Sequence, residues 1–275
     1  ASWVSAELPR PAVVTNDDRF GQSVAVNEAG DVIVVGAPGH DGSAPQGGLV
    51  VIYELDGASG TWNAVGEFPG IFAEGHFGWS VAASGDMIAI GEPGGALALG
   101  TVGVYRRTSP GVWVSDLLLV GYEPFALYGW DVDLDDFLLT VGVPLDDDDV
   151  DGDPDVGAVC VYERGATTWS LRERLHPDGF GNEFYGWSAA VSGEMLVCGA
   201  PGAALAVSPG GWAGIYQWNN GQYEWRYQMW NVAGPPFRIG GAVDLQPERG
   251  IFAGPGWDPG AGPDTGQVFV LGNAP

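Results

Sequence analysis

The sequence predicts an all-β fold: a five-bladed β-propeller of four-stranded antiparallel blades, a single domain over residues 1–275, closed by an N-terminal strand (1–8) that completes the last blade. Three observations predict it. Gly (46) and Pro (20) are abundant and cluster between short apolar runs, which is the punctuation of strands and turns. A unit of about fifty-five residues recurs five times, and a fixed period of that kind marks a repeat architecture. The N-terminal segment supplies the one strand that the fifth unit lacks.

Each unit opens on an aromatic-glycine element: Phe20-Gly21-Gln22-Ser23, Phe77-Gly78-Trp79-Ser80, Tyr128-Gly129-Trp130-Asp131, Tyr185-Gly186-Trp187-Ser188 and a degenerate Ile239-Gly240-Gly241-Ala242, with starts 57, 51, 57 and 54 residues apart. A first strand follows, then a short polar turn, then a β-rich run ending at Pro38, Pro93, Pro144 or Pro201. A third run is read as GLVVIY to Tyr53, GTVGVY to Tyr105, GAVCVY to Tyr162, AGIYQW to Trp218 and GQVFVL to Leu271. The fourth begins at Trp62, Trp113, Trp169 and Trp225. Four short strands with turns between them describe one blade. Trp3 in SWVSAEL fits the fourth-strand pattern: Trp spacings are 59, 51, 56 and 56, and 53 around the join of the termini. Closure of this kind removes an unpaired sheet edge.

Composition excludes several classes. Net charge is −25, and all ten basic residues are Arg, so nucleic acid and anionic membrane surfaces are repelled. Hydrophobic residues at 45% and 12 Trp exclude a disordered chain. No apolar run approaches the ~18 residues of a membrane span, so no membrane insertion is expected. Cys160 and Cys198 sit in apolar strand-like runs and are read as buried thiols; pairing them requires neighbouring strands with Cα atoms within about 7 Å. No zinc spacing is present. A start at Ala1 without Met is expected of a processed, secreted chain.

The order Phe-Gly-x-Ser-Val-Ala, Gly-Asp, Val-Gly-Ala-Pro, Gly-x-Val-x-Val-Tyr and a Trp strand resembles the FG-GAP repeat, shared by the propeller heads of integrin α chains and by many secreted bacterial proteins. The resemblance covers nearly the whole chain. It implies an extracellular, secreted or cell-surface protein; because variable loops on a rigid ring favour partner binding over chemistry, a non-catalytic binding, adhesion or structural module is expected. Its partners would be protein or glycan at the cell surface or matrix, with self-association a further candidate. In the same resemblance Asp147-x-Asp149-x-Asp151-Gly152-x-x-Asp155 fits D-x-D-x-D-G-x-x-D, the calcium pattern associated with the family. Alternate carboxylates converge on one hard cation, Gly152 permits a tight turn, Asp153 offers its carbonyl and Asp155 closes the far side. The loop follows Gly142-Val143-Pro144, as in the bacterial relatives, whereas integrin-type calcium loops precede that element. One calcium ion is expected.

Two other functions compete with a protein-binding module. Trp79, Trp130 and Trp187 recur in register and are read as packing one blade on the next, while Trp212, Trp230 and Trp257, with Asp258 beside it, fall outside the shared register. These are the candidate ligand contacts of a carbohydrate-binding lectin, because aromatic faces stack on apolar sugar faces. A glycosidase-like enzyme would use carboxylates about the central channel, for which Asp131, Asp133, Asp135 and Asp244 are placed on or just after first strands. The other first strands offer Ser and Ala. His40, His76 and His176 lie in loop-like contexts, and neither a nucleophile elbow nor triad spacing is present.

Overall fold

The computed structural model describes residues 7–147, 155–177, 183–202, 204–205, 208–209, 211–230, 240–246, 249–254 and 267–272. Each repeat folds as one antiparallel sheet. The first holds β1 (Ser23–Val26), β2 (Val32–Ala37), β3 (Leu49–Asp56) and β4 (Thr61–Pro69). The second holds β5 (Ser80–Ser84), β6 (Met87–Glu92), β7 (Thr101–Ser109) and β8 (Val112–Val120). The third holds β9 (Val132–Asp135), β10 (Leu138–Val143), β11 (Ala158–Arg164) and β12 (Trp169–Leu175). In the fourth, β13 (Ser188–Ser192) and β14 (Met195–Ala200) are followed by a small ribbon, β15 (Ala204–Leu205) and β16 (Ser208–Pro209), before β17 (Trp212–Asn219) and β18 (Gln222–Trp230). The fifth holds β19 (Ala242–Gln246), β20 (Arg249–Gly254) and β21 (Gln267–Gly272), three strands among the described residues.

Position within the sheet explains composition. The second strands (VIVVGA, MIAIGE, LLTVGV, MLVCGA) are buried almost throughout, because both of their faces meet protein. The outermost strands β4 and β8 are largely exposed. Between the third and fourth strands of each complete sheet a bulge falls just before Tyr53, Tyr105, Tyr162 and Tyr216, which increases the local twist. This register corrects the expected third run of the fourth unit. It is Gly211-Trp212-Ala213-Gly214-Ile215-Tyr216, since Ala200 pairs with Trp212 as Ala37 pairs with Leu49 and Val143 with Ala158.

The core lies between sheets. Val32, Val34, Val50 and Ile52 pack on Val81, Ile88 and Ile90; Val102 and Val104 on Val132, Leu139 and Val141; Val159 and Val161 on Ala189, Leu196 and Cys198. A Cβ on Gly36, Gly91, Gly142 or Gly199 would lie 2.1, 2.1, 2.1 or 2.2 Å from the carbonyl oxygen of Gly78, Gly129, Gly186 or Gly240 in the next unit. The hydroxyls of Ser23, Ser80 and Ser188 donate to the Gly78, Gly129 and Gly240 carbonyls at 2.7, 3.0 and 2.9 Å. The glycine of the Gly-x-Pro element of one unit and the aromatic-glycine element of the next are therefore two halves of one joint. Isolated parallel bridges from Gly48, Gly100 and Gly157 to Phe77, Tyr128 and Tyr185 reinforce it.

In consequence β1 packs on β5, β5 on β9, β9 on β13 and β13 on β19; no contact of similar extent joins β19 to β1 among the described residues. All five inner strands still border one cavity. The expected closing strand (1–8), with Trp3, lies outside the described residues over 1–6, and its last two residues, Glu7 and Leu8, form no strand. From there the chain crosses the free face of the first sheet: Leu8 and Val14 pack on it, and the Tyr53 hydroxyl donates to Pro9 O at 2.7 Å.

Candidate functional site

The inner strands carry the axial chemistry. Where the first, second and fourth units place Ser23, Ser80 and Ser188, the third places Asp131, and β9 continues the row with Asp133 and Asp135 on the same face, as the two-residue period of a strand requires. Each carboxylate reaches sideways to the neighbouring inner strand. Asp131 Oδ2 accepts the Ala189 N–H at 2.7 Å, Asp133 Oδ2 accepts the Val191 N–H at 2.8 Å, and Asp135 Oδ2 accepts the Gly193 N–H. Burial pushes the Asp131 carboxyl up to about 7, opposed by the Ala189 hydrogen bond and assisted by Asp133. Burial likewise raises Asp133 to about 6, with Asp244 and Asp135 contributing against the Val191 and Leu134 amides. Both are ringed by protein, which solvates a charge less well than bulk water does.

At the turn end lies a cavity of about 890 Å³ to which Glu28, Asp133, Asp135, Glu194 and Asp244 contribute. This places the predicted channel carboxylates Asp133, Asp135 and Asp244 together. Sequence reading missed Glu28 and Glu194, because an acid in a polar turn has no signature until the topology brings the turns of different units to one mouth. At the aromatic-glycine end, Trp79 packs on Trp130 with ring centroids 4.7 Å apart, and Trp130 on Trp187 at 4.6 Å. The expected blade-on-blade role of these three rings is what the structure shows.

Of the predicted calcium ligands, Asp149, Asp151 and Asp153 lie outside the described residues. Asp147 and Asp155 meet at the base of the loop, where Asp147 Oδ1 accepts the Asp155 N–H at 2.9 Å and Gly157 N–H donates to Asp146 O at 2.9 Å. No group of three or more His, Cys, Asp and Glu side chains is arranged to hold a metal among the described residues. Asp146, at the head of the acidic run, is fully buried and anchors the loop through Arg174 and through His176 Nε2 at 3.2 Å. The sequence reading began the calcium loop at Asp147 and did not single this residue out.

Trp212 is a correction. Expected at the surface, it is 3% exposed, its indole N–H donates to Glu183 Oε2 at 3.1 Å, and it stacks on Tyr185 at 5.3 Å. It occupies the core position that Leu49, Thr101 and Ala158 hold elsewhere, so no ligand reaches it. The backbone of Trp230 ends β18; Trp257 and Asp258 lie outside the described residues. Cys160 and Cys198 are buried and free, and burial pushes both thiols up to about 12. A further buried acid, Glu92, replaces the Ala of Gly-Ala-Pro. Its Oε2 accepts the Thr101 hydroxyl at 2.6 Å, its Oε1 has no hydrogen-bond partner among the described residues, and burial pushes it up to about 7.

The family comparison falls on the motif joint. Residues 11–53, which span Phe20-Gly21, Gly36-Ala37-Pro38 and Tyr53, match the FG-GAP repeat. The chain carries an FG-GAP repeat. FG-GAP repeats are generally non-catalytic and typical of extracellular and cell-surface proteins, and no helix among the described residues is long and apolar enough to cross a membrane. No curated protein matches the chain.

Proposed function

We propose that this FG-GAP protein is a non-catalytic binding module of the extracellular space, a propeller that receives a cationic group of a protein partner in its acidic axial cavity. The observation that carries it is the convergence of Glu28, Asp133, Asp135, Glu194 and Asp244, drawn from four different sheets, on one cavity. Carboxylates facing a partly enclosed space focus negative potential and favour a guanidinium or ammonium that replaces lost hydration. In this reading the N-terminal strand pairs with the free edge of β21 and tethers the last sheet to the first at their outer rim. One calcium ion, held by Asp147 and Asp155 with the carboxylates between them, stiffens the neighbouring loop. Catalysis fits less well, because Asp131 and Asp133 each use an oxygen to bind a backbone amide of the next sheet.

Calorimetric titration with an arginine-containing peptide tests this. Asp133→Asn with Asp244→Asn is expected to weaken binding at least tenfold while the exposed Asp56→Asn does not. Equal losses would show a diffuse charge effect and sink the reading. One observation favours glycan binding as a second function: Trp225 and Tyr227 alternate along β18 and are 54% and 46% exposed, an open aromatic platform of the kind that stacks on sugars. Glycan-array binding lost in Trp225→Ala would support it, and an unreactive wild type would remove it.

A further inference from the structure

Four joints of the ring share a close-packed glycine, three of them with a Ser beside it and one with Asp131, and the fifth has neither glycine nor hydroxyl. Register identifies the two residues of each joint: Ser23 opposite Gly36, Ser80 opposite Gly91, Ser188 opposite Gly199, and in the fifth unit Ala242 opposite Ala253. The fifth unit thus lacks both the hydroxyl that donates to the next aromatic-glycine carbonyl and the glycine that lets that carbonyl approach. At the other joints a Cβ would sit 2.1 to 2.2 Å from the carbonyl oxygen. A methyl on Ala253 therefore requires the strands to stand roughly 1 Å further apart to regain van der Waals contact.

Exposure of matching positions agrees. Val24 and Val26 on β1 are 65% and 59% exposed, whereas Val81, Val132 and Ala189 at the position of Val24 are 9%, 5% and 3%. Across the gap, Val268 and Val270 on β21 are 68% and 62% exposed, whereas Val50, Ile52, Val102, Val104, Val159 and Val161 at those positions are all 0%. These are apolar faces of the kind that is buried at every other joint. The side chains of Asp244 and Glu28 border the cavity next to this seam.

We infer that the ring opens at a single place, the seam between the fifth and first sheets, and that this opening is a side entrance to the axial cavity. Three glycine-serine joints and the Asp131–Gly142 joint hold the remaining sheets as one unit. The entrance role rests on the cavity being the binding site; the seam itself does not.

Hydrogen exchange of the intact chain tests the seam. Once corrected for intrinsic rates, the amides of β1 and β19 are expected to exchange at least tenfold faster than those of β5 and β9, since local opening sets protection. The double variant Ala242→Ser/Ala253→Gly rebuilds the missing joint and is expected to slow β1 and β19 selectively. If that variant does not fold, Ala242→Ser alone restores the hydroxyl and is read the same way. Equal protection across all five inner strands, or no change in the rebuilt variant, would overturn the seam. Association of the arginine peptide is measured on the same proteins: slower association in the rebuilt variant supports side entry, and an unchanged rate overturns side entry while leaving the seam intact. No peptide binding by the wild type would overturn the cavity reading and with it the entrance, and the exchange rates would still decide the seam.

Discussion

Replacing Gly91 with Ala adds a methyl whose carbon would lie 2.1 Å from the Gly129 carbonyl oxygen and 2.3 Å from Ser80 Oγ. The Ser80 hydroxyl can rotate away, but the carbonyl belongs to the backbone of the next sheet and already accepts the Ser80 hydrogen bond at 3.0 Å. Relief requires the second and third sheets to part. That loosens the packing of Val102, Val104, Leu139 and Val141, which fill the space between them. Overpacking of this kind costs about 3 kcal/mol, and at roughly 2–4 °C per kcal/mol for a chain near this size the melting temperature falls by about 6–12 °C. Gly57 is the control, because a Cβ there meets nothing within 4 Å, and Gly57→Ala is expected to stay within about 0.5 kcal/mol of wild type. Calorimetric melts of both variants decide the matter. A Gly91→Ala protein that melts with Gly57→Ala would refute the joint as the reason for these glycines.

Other outcomes follow from the buried groups and the loop. Asp131, Asp133 and Glu92 all have folded pKa values raised by burial, so their stabilising contribution is complete below about pH 4 and is lost as pH rises through about 6 to 7. The melting temperature is expected to be several degrees lower at pH 8 than at pH 5, and Asp133→Asn or Glu92→Gln should flatten that slope; a wild-type melt independent of pH would contradict the assignment. Chelation is expected to lower the melting temperature by several degrees and added calcium to restore it, since an ion bound only by the folded state stabilises it, with the response gone in Asp147→Ala. Cys160 and Cys198, buried with thiols pushed up to about 12, are expected to resist alkylation until the chain unfolds, because the thiolate is the reactive form; rapid labelling of the native protein would contradict their placement.

The strands were legible in the sequence because each unit repeats a pattern with a mechanical cause. Gly36, Gly91, Gly142 and Gly199 recur because a carbonyl of the next sheet occupies the place of their side chains, and Ser23, Ser80 and Ser188 recur because they bind that carbonyl. Repetition breaks where one unit differs, and there the reading slipped. In the fourth unit a Trp in a core position made the third run look two residues later than it is, and Trp212 was assigned to the surface in consequence. The cavity was legible only in part. Asp133 and Asp244 lie on recognisable inner strands, but Glu28 and Glu194 reach the mouth through turns whose convergence depends on how the sheets are arranged. Asp146 looked like one more acid in a charged run, and only its burial against Arg174 and His176 separates it from its neighbours.

Cross-linking of a cysteine pair at Val26 and Asp244 tests the central claim, that five sheets surround one axial cavity. These positions border the same cavity although they belong to the first and last sheets. The account predicts that a short bis-maleimide joins them within one molecule at low protein concentration, giving a compact species on a denaturing gel, while the native thiols remain unmodified. Links formed only between molecules, or none at all, would contradict it.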